Sequence, residues 1–177
     1  MGSVGLFAGC LGNDADRPDP ISLEDGGNCD YCGMVLESHS GSKGQAFYGD
    51  DVPEAHDGPA WFCSGTCTYN YVFDQEDVGL EPTAIYLTDY SAVEYSLSSE
   101  NGEAFISAHL TADVFSSVED LAFAVGSDVY GAMGPDLVGF GDRADAEAFV
   151  DEHGGELYEH DDVSRELLST LDNYRNH

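Results

Sequence analysis

Short apolar segments, separated by loops rich in Gly, Ser and acidic residues, recur along this chain. In its first half they predict three strands, at residues 34–36, 45–48 and 84–87. Between the second and third strands, Ser64 can act as the N-cap of a helix that ends before Asp77. On that helix Cys67 would lie one turn after Cys63. The predicted order is strand, strand, helix, strand.

The second half of the chain repeats this order. Its apolar segments predict strands within residues 104–115 and at 121–125, 137–140 and 156–158, with a loop at 130–135. Asp142 can cap a helix that stops at Gly154. A closing amphipathic helix over residues 163–174 carries one apolar stripe, formed by Leu167, Leu168, Leu171 and Tyr174. The pattern predicts an α+β fold of two small halves with a C-terminal amphipathic helix.

The charge balance excludes several classes of partner. The chain has 35 Asp and Glu against 5 Lys and Arg, a net charge of -30. Such a surface repels nucleic acid and anionic membranes because it cannot neutralise phosphates. The carboxylates are spread along the whole length, which is typical of a halophilic protein adapted to very high salt, where charges are strongly screened. We therefore expect no nucleic-acid partner, and a single carboxylate carries little weight as a catalytic candidate.

The first 27 residues differ from the rest. Residues 6–10 end in a small-residue pattern before Cys10, like the site that precedes a lipid-modified cysteine in secreted lipoproteins. Only nine residues precede Cys10, so either the true start lies upstream or the likeness is fortuitous and this is an ordinary N-terminus. The acidic, Pro-bearing stretch that follows suits a tether. We expect a lipobox-like start and tether over 1–27, one half over 28–80 and the other over 81–177.

Two cysteine pairs form the strongest chemical signal in the chain. Cys29 and Cys32 are separated by two residues, and Cys63 and Cys67 by three. This spacing is that of a closed tetrahedral zinc site, with one pair on a turn and the other at a helix start. The alternative without metal is two disulfides or four buried thiols. A disulfide within the first pair would close a small strained ring, which counts against it.

Two methionines extend this signal toward copper. Met34 lies two residues after Cys32, and Met133 lies in a Gly-flanked loop. A methionine usually fills a core, but thiolate and thioether ligands are soft and select Cu(I) or zinc over magnesium or calcium. Cysteine with methionine would hold Cu(I) in a low-coordinate, releasable site, whereas four cysteines would hold zinc permanently.

An ordered set of motifs resembles the NosL family, the lipoprotein copper chaperones that serve nitrous oxide reductase. The matching segments are 29–34 (Cys-Asp-Tyr-Cys-Gly-Met), 41–46, 62–64, 86–89, 125–127, 131–134 (Gly-Ala-Met-Gly), 145–146 and 153–155. Each motif is weak by itself, but the set covers nearly all of the expected folded region in order.

This resemblance implies a fold, a ligand set and a location. It implies two ββαβ halves and Cu(I) bound by Cys32, Met34 and Met133, with Cys29 beside them. It also implies an extracytoplasmic protein, anchored to the cell membrane only through a lipid on Cys10. The expected function is delivery of copper for nitrous oxide reductase maturation in denitrification, and the expected partners are that reductase and its membrane-bound assembly complex.

One residue departs from the family pattern. Cys67 gives the first half a likeness to YHS or TRASH-type modules, which are treble-clef-like and also open with Cys-Gly-Met. Zinc could then be held by Cys29, Cys32, Cys63 and Cys67, making the protein a structural zinc-binding or metal-sensing module.

An enzyme is the third alternative, because the resemblance implies a fold that organomercury lyase is said to share. Asp89 or Asp113 could be named as a base, but the chain has no Ser nucleophile motif, phosphate loop or His-Glu-x-x-His signature. We therefore expect a binding protein and not an enzyme.

Overall fold

The computed structural model of the protein describes residues 17–49 and 58–174. For residues 172–174 it describes the backbone alone. Cys10 and the first part of the expected tether therefore lie outside the described residues, as does the side chain of Tyr174. No helix in the described ranges is both long enough and apolar enough to cross a bilayer. The predicted α+β class is confirmed, including the helix at the C-terminus.

The chain forms nine strands and three α-helices within its described part. The strands are β1 (Gly44–Phe47), β2 (Ala60–Phe62), β3 (Ala84–Thr88), β4 (Leu97–Glu100), β5 (Glu103–Ile106), β6 (Phe115–Ser117), β7 (Ala122–Gly131), β8 (Gly134–Phe140) and β9 (Glu156–Tyr158). The helices are α1 (Gly65–Glu76), α2 (Arg143–His153) and α3 (Arg165–Tyr174).

These strands form two sheets that share one local topology. The first sheet has the order β2-β1-β3-β6, with every pair antiparallel. In the second sheet β7 lies between β8 and β9 on one stretch, and its far end pairs with β5 in parallel. In the first sheet β1 lies between β2 and β3, and in the second β7 lies between β8 and β9. In each case the central strand is followed by its first partner, then by a helix, and then by its second partner. This is the predicted ββαβ order. In the first half, however, β1 corresponds to the second predicted strand, and β2 was not predicted.

The sheets divide the chain at a different place from the predicted boundary near residue 80. Both β3 and β6 belong to the first sheet although they follow that boundary. The division into segments 28–80 and 81–177 stays a prediction about domain organisation.

Two local predictions are wrong, and one strand of the second sheet was missed. Residues 34–36 are not a strand: Val35 makes a single bridge with Asn28, and Leu36 begins a 3-10 turn. The predicted loop at 130–135 is instead a tight hairpin, because β7 and β8 extend to Gly131 and Gly134. The strand β4 was missed since all of its residues are exposed and carry no apolar alternation.

The capping predictions are correct. The Ser64 side chain accepts a hydrogen bond from the Cys67 amide, and Asp142 accepts one from the Ala144 amide. Such caps satisfy amides that have no partner inside the helix. Cys63 and Cys67 consequently lie at the very start of α1, one before the cap and one after it.

The arginines of the described ranges form ion pairs at the protein surface. They pair as Arg17 with Glu119, Arg143 with Glu147 and Glu159, and Arg165 with Asp74 and Asp77. Exposed pairs of this kind contribute little stability. Adaptation to high salt stays a prediction from the charge of the chain.

Asp89 joins the two sheets where β3 ends. Its carboxylate accepts hydrogen bonds from the amide of Gly141 at 2.7 Å, the amide of Ser91 at 2.9 Å and the hydroxyl of Ser116 at 2.9 Å. Its backbone also bridges to Gly139 of β8. The side chain is buried and its partners are all protein groups, so its role is structural.

We expect Asp89→Ala to destabilise the protein by about 2–4 kcal/mol, because three donors lose a charged acceptor in a buried place. Urea denaturation followed by circular dichroism measures the loss. The matched control is Asp113→Ala, which removes an exposed carboxylate and should change stability by less than about 0.5 kcal/mol. Equal stability of the two variants would contradict the structural role of Asp89.

Candidate metal centre

The first cysteine pair lies on a tight turn closed by backbone hydrogen bonds. The Cys29 amide donates to the Met34 carbonyl at 2.8 Å, and the Gly33 amide donates to the Cys29 carbonyl at 2.8 Å. Gly33 has φ 78°, a left-handed conformation that other residues adopt at a cost. The turn therefore favours glycine at position 33, and it directs Cys29 and Cys32 toward the start of α1.

All four cysteines meet at one point. They are free thiols, and their four sulfur atoms lie within 4.8 Å of one another. The Sγ atoms of Cys32 and Cys63 are 3.4 Å apart, and those of Cys63 and Cys67 are 3.7 Å apart. Sulfurs about 2.3 Å from a tetrahedral ion lie about 3.8 Å from one another. The observed spacing is thus that of a set of ligands ready to surround one metal ion.

Met133 joins this cluster from the other half of the chain. It lies in the two-residue turn between β7 and β8, and its Sδ is 3.8 Å from the Sγ of Cys67. Met34 contributes the carbonyl that closes the cysteine turn, while its side chain packs against the core. The sequence posed Cys67 and Met133 as rival partners of Cys29 and Cys32, but the structure places both at the same site. Ligation by Met34 stays a prediction.

Asp136 ties the Met133 hairpin to the helix that carries Cys67. Its carboxylate accepts hydrogen bonds from the Thr66 amide at 2.9 Å, the Thr66 hydroxyl at 3.1 Å and the Gly65 amide at 3.3 Å. Burial raises the pKa of this carboxyl group, while the same hydrogen bonds oppose the rise. The N-terminal amides of α1 are therefore engaged by β8, which fixes the position of the hairpin relative to the cysteines.

The only lysine in the chain lies behind the cluster and is fully buried. The Lys43 ammonium donates to the carbonyls of His39, Ser40 and Gly41, each at 3.0 Å, and to that of Cys63 at 3.4 Å. Burial lowers the pKa of Lys43 to about 8, and the nearby Asp136 opposes this shift. A buried cation among carbonyls holds the backbone around Cys63 and places positive charge next to the thiols.

The loop of Lys43 also touches the Met133 hairpin directly. A Cβ at Gly41 would approach the Cα of Gly131 to 2.4 Å, and a Cβ at Gly131 would approach the Asp136 Oδ2 to 2.7 Å, so each position depends on the absence of a Cβ. Gly41 adopts φ 89° as well. The close contact places the two backbones against each other beside the cluster.

The pKa values of the buried thiols are shifted in opposite directions. Hydrogen bonds from Cys63 and Cys67 hold the pKa of the Cys29 thiol far below its ordinary value. Hydrogen bonding to Cys29 raises the pKa of both Cys63 and Cys67, and burial adds to the rise. A metal ion that binds all four sulfurs must therefore displace protons from Cys63 and Cys67.

One side of the cluster opens to a cavity of about 220 Å³. Cys32, Cys67 and Met133 lie on its walls, and Tyr31 and Asn70 also line it. Cys32 is the exposed cysteine, whereas Cys29, Cys63 and Cys67 are buried. The cluster is consequently accessible from the side of Cys32.

Comparison with known proteins identifies the family. The NosL family profile matches residues 20–168. This chain belongs to the NosL family. The copper-binding lipoprotein NosL of Stutzerimonas stutzeri is 26% identical over 150 residues, which cover 85% of this chain and 68% of that protein.

A solved NosL crystal structure supports the same assignment. The crystal structure of the copper chaperone NosL from Shewanella denitrificans has a TM-score of 0.63 and 26% identity, covering 79% of this chain and 91% of its own. The solution structure of apo-NosL from Achromobacter cycloclastes has a TM-score of 0.44 and 20% identity, covering 71% and 87%. The resemblance seen in the sequence motifs is therefore confirmed at the level of the family.

Sequence reasoning missed three residues around the cluster of this NosL protein. Lys43 could have been singled out, because a lone lysine in so acidic a chain is unusual. Asp136 carried no such signal among 35 acidic residues. Asn70 became visible only when α1 placed it one turn after Cys67, on the wall of the cavity.

The tie made by Asp136 predicts energetic coupling to Met133. We expect Met133→Ala to weaken Cu(I) binding at least about tenfold, near 1.4 kcal/mol, and Asp136→Asn to weaken it by a similar factor because the hairpin is released. Competition against a chromophoric Cu(I) chelator measures both. If Asp136 acts through Met133, Asp136→Asn adds nothing in a Met133→Ala background. Fully additive losses would contradict the coupling.

Proposed function

We propose that this NosL protein is an extracytoplasmic Cu(I) metallochaperone that delivers copper for the maturation of nitrous oxide reductase. The observation that carries the proposal is the contact of the Met133 thioether with Cys67 at the edge of the thiol cluster. Thiolate with thioether is a donor set that prefers Cu(I). The relatives named as copper-binding and as copper chaperones support the same cargo.

The accessibility of the cluster suits delivery. Cys32 is exposed, so it is the ligand that an acceptor can replace first. The buried cysteines would then be replaced in turn, and the ion would pass without entering water.

The proposed location rests on Cys10 and on the lipoprotein relative. A lipid on Cys10 would hold the folded part at the outer face of the cell membrane through the residues that precede Arg17. The later part of the expected tether packs on the fold instead, because Leu23 is buried and the Ile21 amide donates to the Gln45 side chain. The partners would be nitrous oxide reductase and its membrane-bound assembly complex. The membrane is contacted only through the anchor, and nucleic acid is excluded by the charge of -30.

A second candidate function is favoured by the geometry of the four thiols. Their mutual spacing suits a tetrahedral Zn²⁺ held by Cys29, Cys32, Cys63 and Cys67, which would make the site a structural or sensing centre. In that case Met133 would be a neighbour of the site and not a ligand.

We assign no enzymatic reaction to the protein. Asp89 is engaged by three donors between the sheets, and Asp113 is exposed at the surface. Neither carboxylate is among the residues that line the cavity beside the cysteines. The family of copper chaperones to which the chain belongs is in line with a binding protein.

Metal binding by matched methionine variants separates copper from zinc. We expect the wild type to bind Cu(I), Met133→Ala to bind it at least about tenfold more weakly, and zinc affinity to change less than about threefold. Met34→Ala truncates the other methionine of the folded part and tests its own predicted ligand role, because a loss of Cu(I) affinity as large as that of Met133→Ala would add Met34 to the ligand set. Zinc that survives dialysis against a chelator, with no effect of Met133→Ala on Cu(I), would favour the structural alternative.

Delivery is tested in cells that make nitrous oxide reductase but lack this protein. We expect the wild-type gene to restore the copper content of the purified reductase. Cys32→Ala should fail because the accessible ligand is lost, and Cys10→Ala should restore little because the protein leaves the membrane surface. Membrane fractionation verifies the second effect. Full copper content with Cys32→Ala would argue against delivery through this site.

A further inference from the structure

A second cavity lies between α2 and the loop that joins β3 to β4. Its volume is about 300 Å³, at the lower end of the range of roughly 300–1,000 Å³ that small-molecule sites occupy. Its walls come from that loop, from Phe140 at the end of β8 and from one face of α2. None of the cysteines or methionines lines it, so it is separate from the metal centre.

Four aromatic rings meet at this cavity, those of Tyr90, Tyr95, Phe140 and Phe149. Tyr95 is 36% exposed, whereas the other three are at most 3% exposed and form the floor. The Tyr95 ring stands at 67° to 86° to the floor rings, with centroids 5.7 to 6.5 Å apart. Rings at such angles enclose a corner, and ring faces attract a cation that lies within about 6 Å of their centroids.

Two carboxylates border the same cavity. Asp145 and Glu152 line it from α2, two turns apart and on the helix face that carries Phe149. Burial raises the pKa of the Tyr95 phenol, and the charges of Glu152 and Asp145 add to the rise, so both carboxylates lie near this ring. Within residues 17–49 and 58–174, the ion pairs of the arginines involve other carboxylates. The cavity therefore combines aromatic walls with negative charge that no described arginine neutralises.

We propose that this cavity binds a small dissolved cation that carries a quaternary ammonium group, of the chemical class of choline. Such a group has no N–H, so it loses no hydrogen bond when aromatic rings replace its water. A primary ammonium or a guanidinium would lose hydrogen bonds against the same rings. The two carboxylates attract the cation and repel any anionic group attached to it. The site uses none of the sulfur ligands, so it stands whether or not the copper function does.

Choline and its neutral isostere test this attraction. The whole protein is titrated with choline chloride and, separately, with dimethylbutanol, which has a carbon atom in place of the nitrogen. The buffer contains about 0.15 M KCl, where the Debye length of about 8 Å screens distant charges. We expect choline to bind with a Kd in the millimolar range or tighter, and at least about tenfold more tightly than dimethylbutanol.

Amide chemical shifts measured by NMR report both the affinity and the place of binding. Choline should shift the amides of residues 91–95 and 145–152, which border the cavity. Equal affinities for choline and dimethylbutanol, or shifts confined to other parts of the protein, would overturn the proposal.

Two matched pairs of variants separate the ring from the charge. Choline affinity should fall about fivefold in Tyr95→Leu, which removes the ring, and less than about twofold in Tyr95→Phe, which keeps it. It should fall about threefold in Asp145→Asn and hardly change in Asp151→Asn, which removes the same charge from α2 outside the cavity. All three positions are exposed, and circular dichroism verifies that each variant folds. Equal choline affinities within either pair would overturn the site.

Vesicles of phosphatidylcholine distinguish a dissolved cation from a lipid headgroup. The headgroup carries a phosphate next to its quaternary ammonium, and the two carboxylates repel that phosphate. We expect Cys10→Ala protein, which carries no lipid of its own, to stay in the supernatant when these vesicles are sedimented. Sedimentation with the vesicles that is abolished by Tyr95→Leu would assign the cavity to a lipid surface and overturn the dissolved ligand.

Discussion

One buried carboxylate holds the metal centre together. Asp136 lies on β8, beyond the hairpin turn of Met133, and binds the first amides of α1 at Gly65 and Thr66. This tie, together with the close approach of Gly41 to Gly131, keeps the hairpin of the second half beside the cysteines of the first. The burial of the carboxylate is offset by three hydrogen bonds from a helix start, where negative charge is favoured.

A buried ammonium complements that carboxylate from the opposite side. In a chain with a net charge of -30, the single lysine is buried and its ammonium donates to backbone carbonyls beside Cys63. The arginines of the described ranges, by contrast, make exposed pairs of little energetic weight. The one buried ammonium of the described residues thus lies where it fixes the backbone around the thiols. The cluster is held by groups that do not themselves bind the metal, so its geometry exists before metal arrives.

The two alternatives raised by the sequence, zinc through Cys67 or copper through Met133, turn out to concern one place. Cys67 is in contact with both Cys63 and Met133. A site with four thiols and an adjacent thioether fits a zinc centre in which the thioether is not a ligand. It also fits a copper site in which some of the sulfurs are not ligands. The exposure of Cys32 favours exchange of the metal ion over its permanent retention, and this is why we propose delivery as the function.

Local patterns determined most of the secondary structure of this protein. The cap at Ser64, the Cys-Gly turn at residues 32–33 and the ordered motifs were readable because each depends on neighbours a few residues away. The Met133 hairpin was missed because its β-structure depends on pairing across the sheet, not on local apolar pattern. Only the tertiary structure could select Asp136 from many acids and bring Met133 to Cys67, because both choices rest on contacts between residues about 70 positions apart.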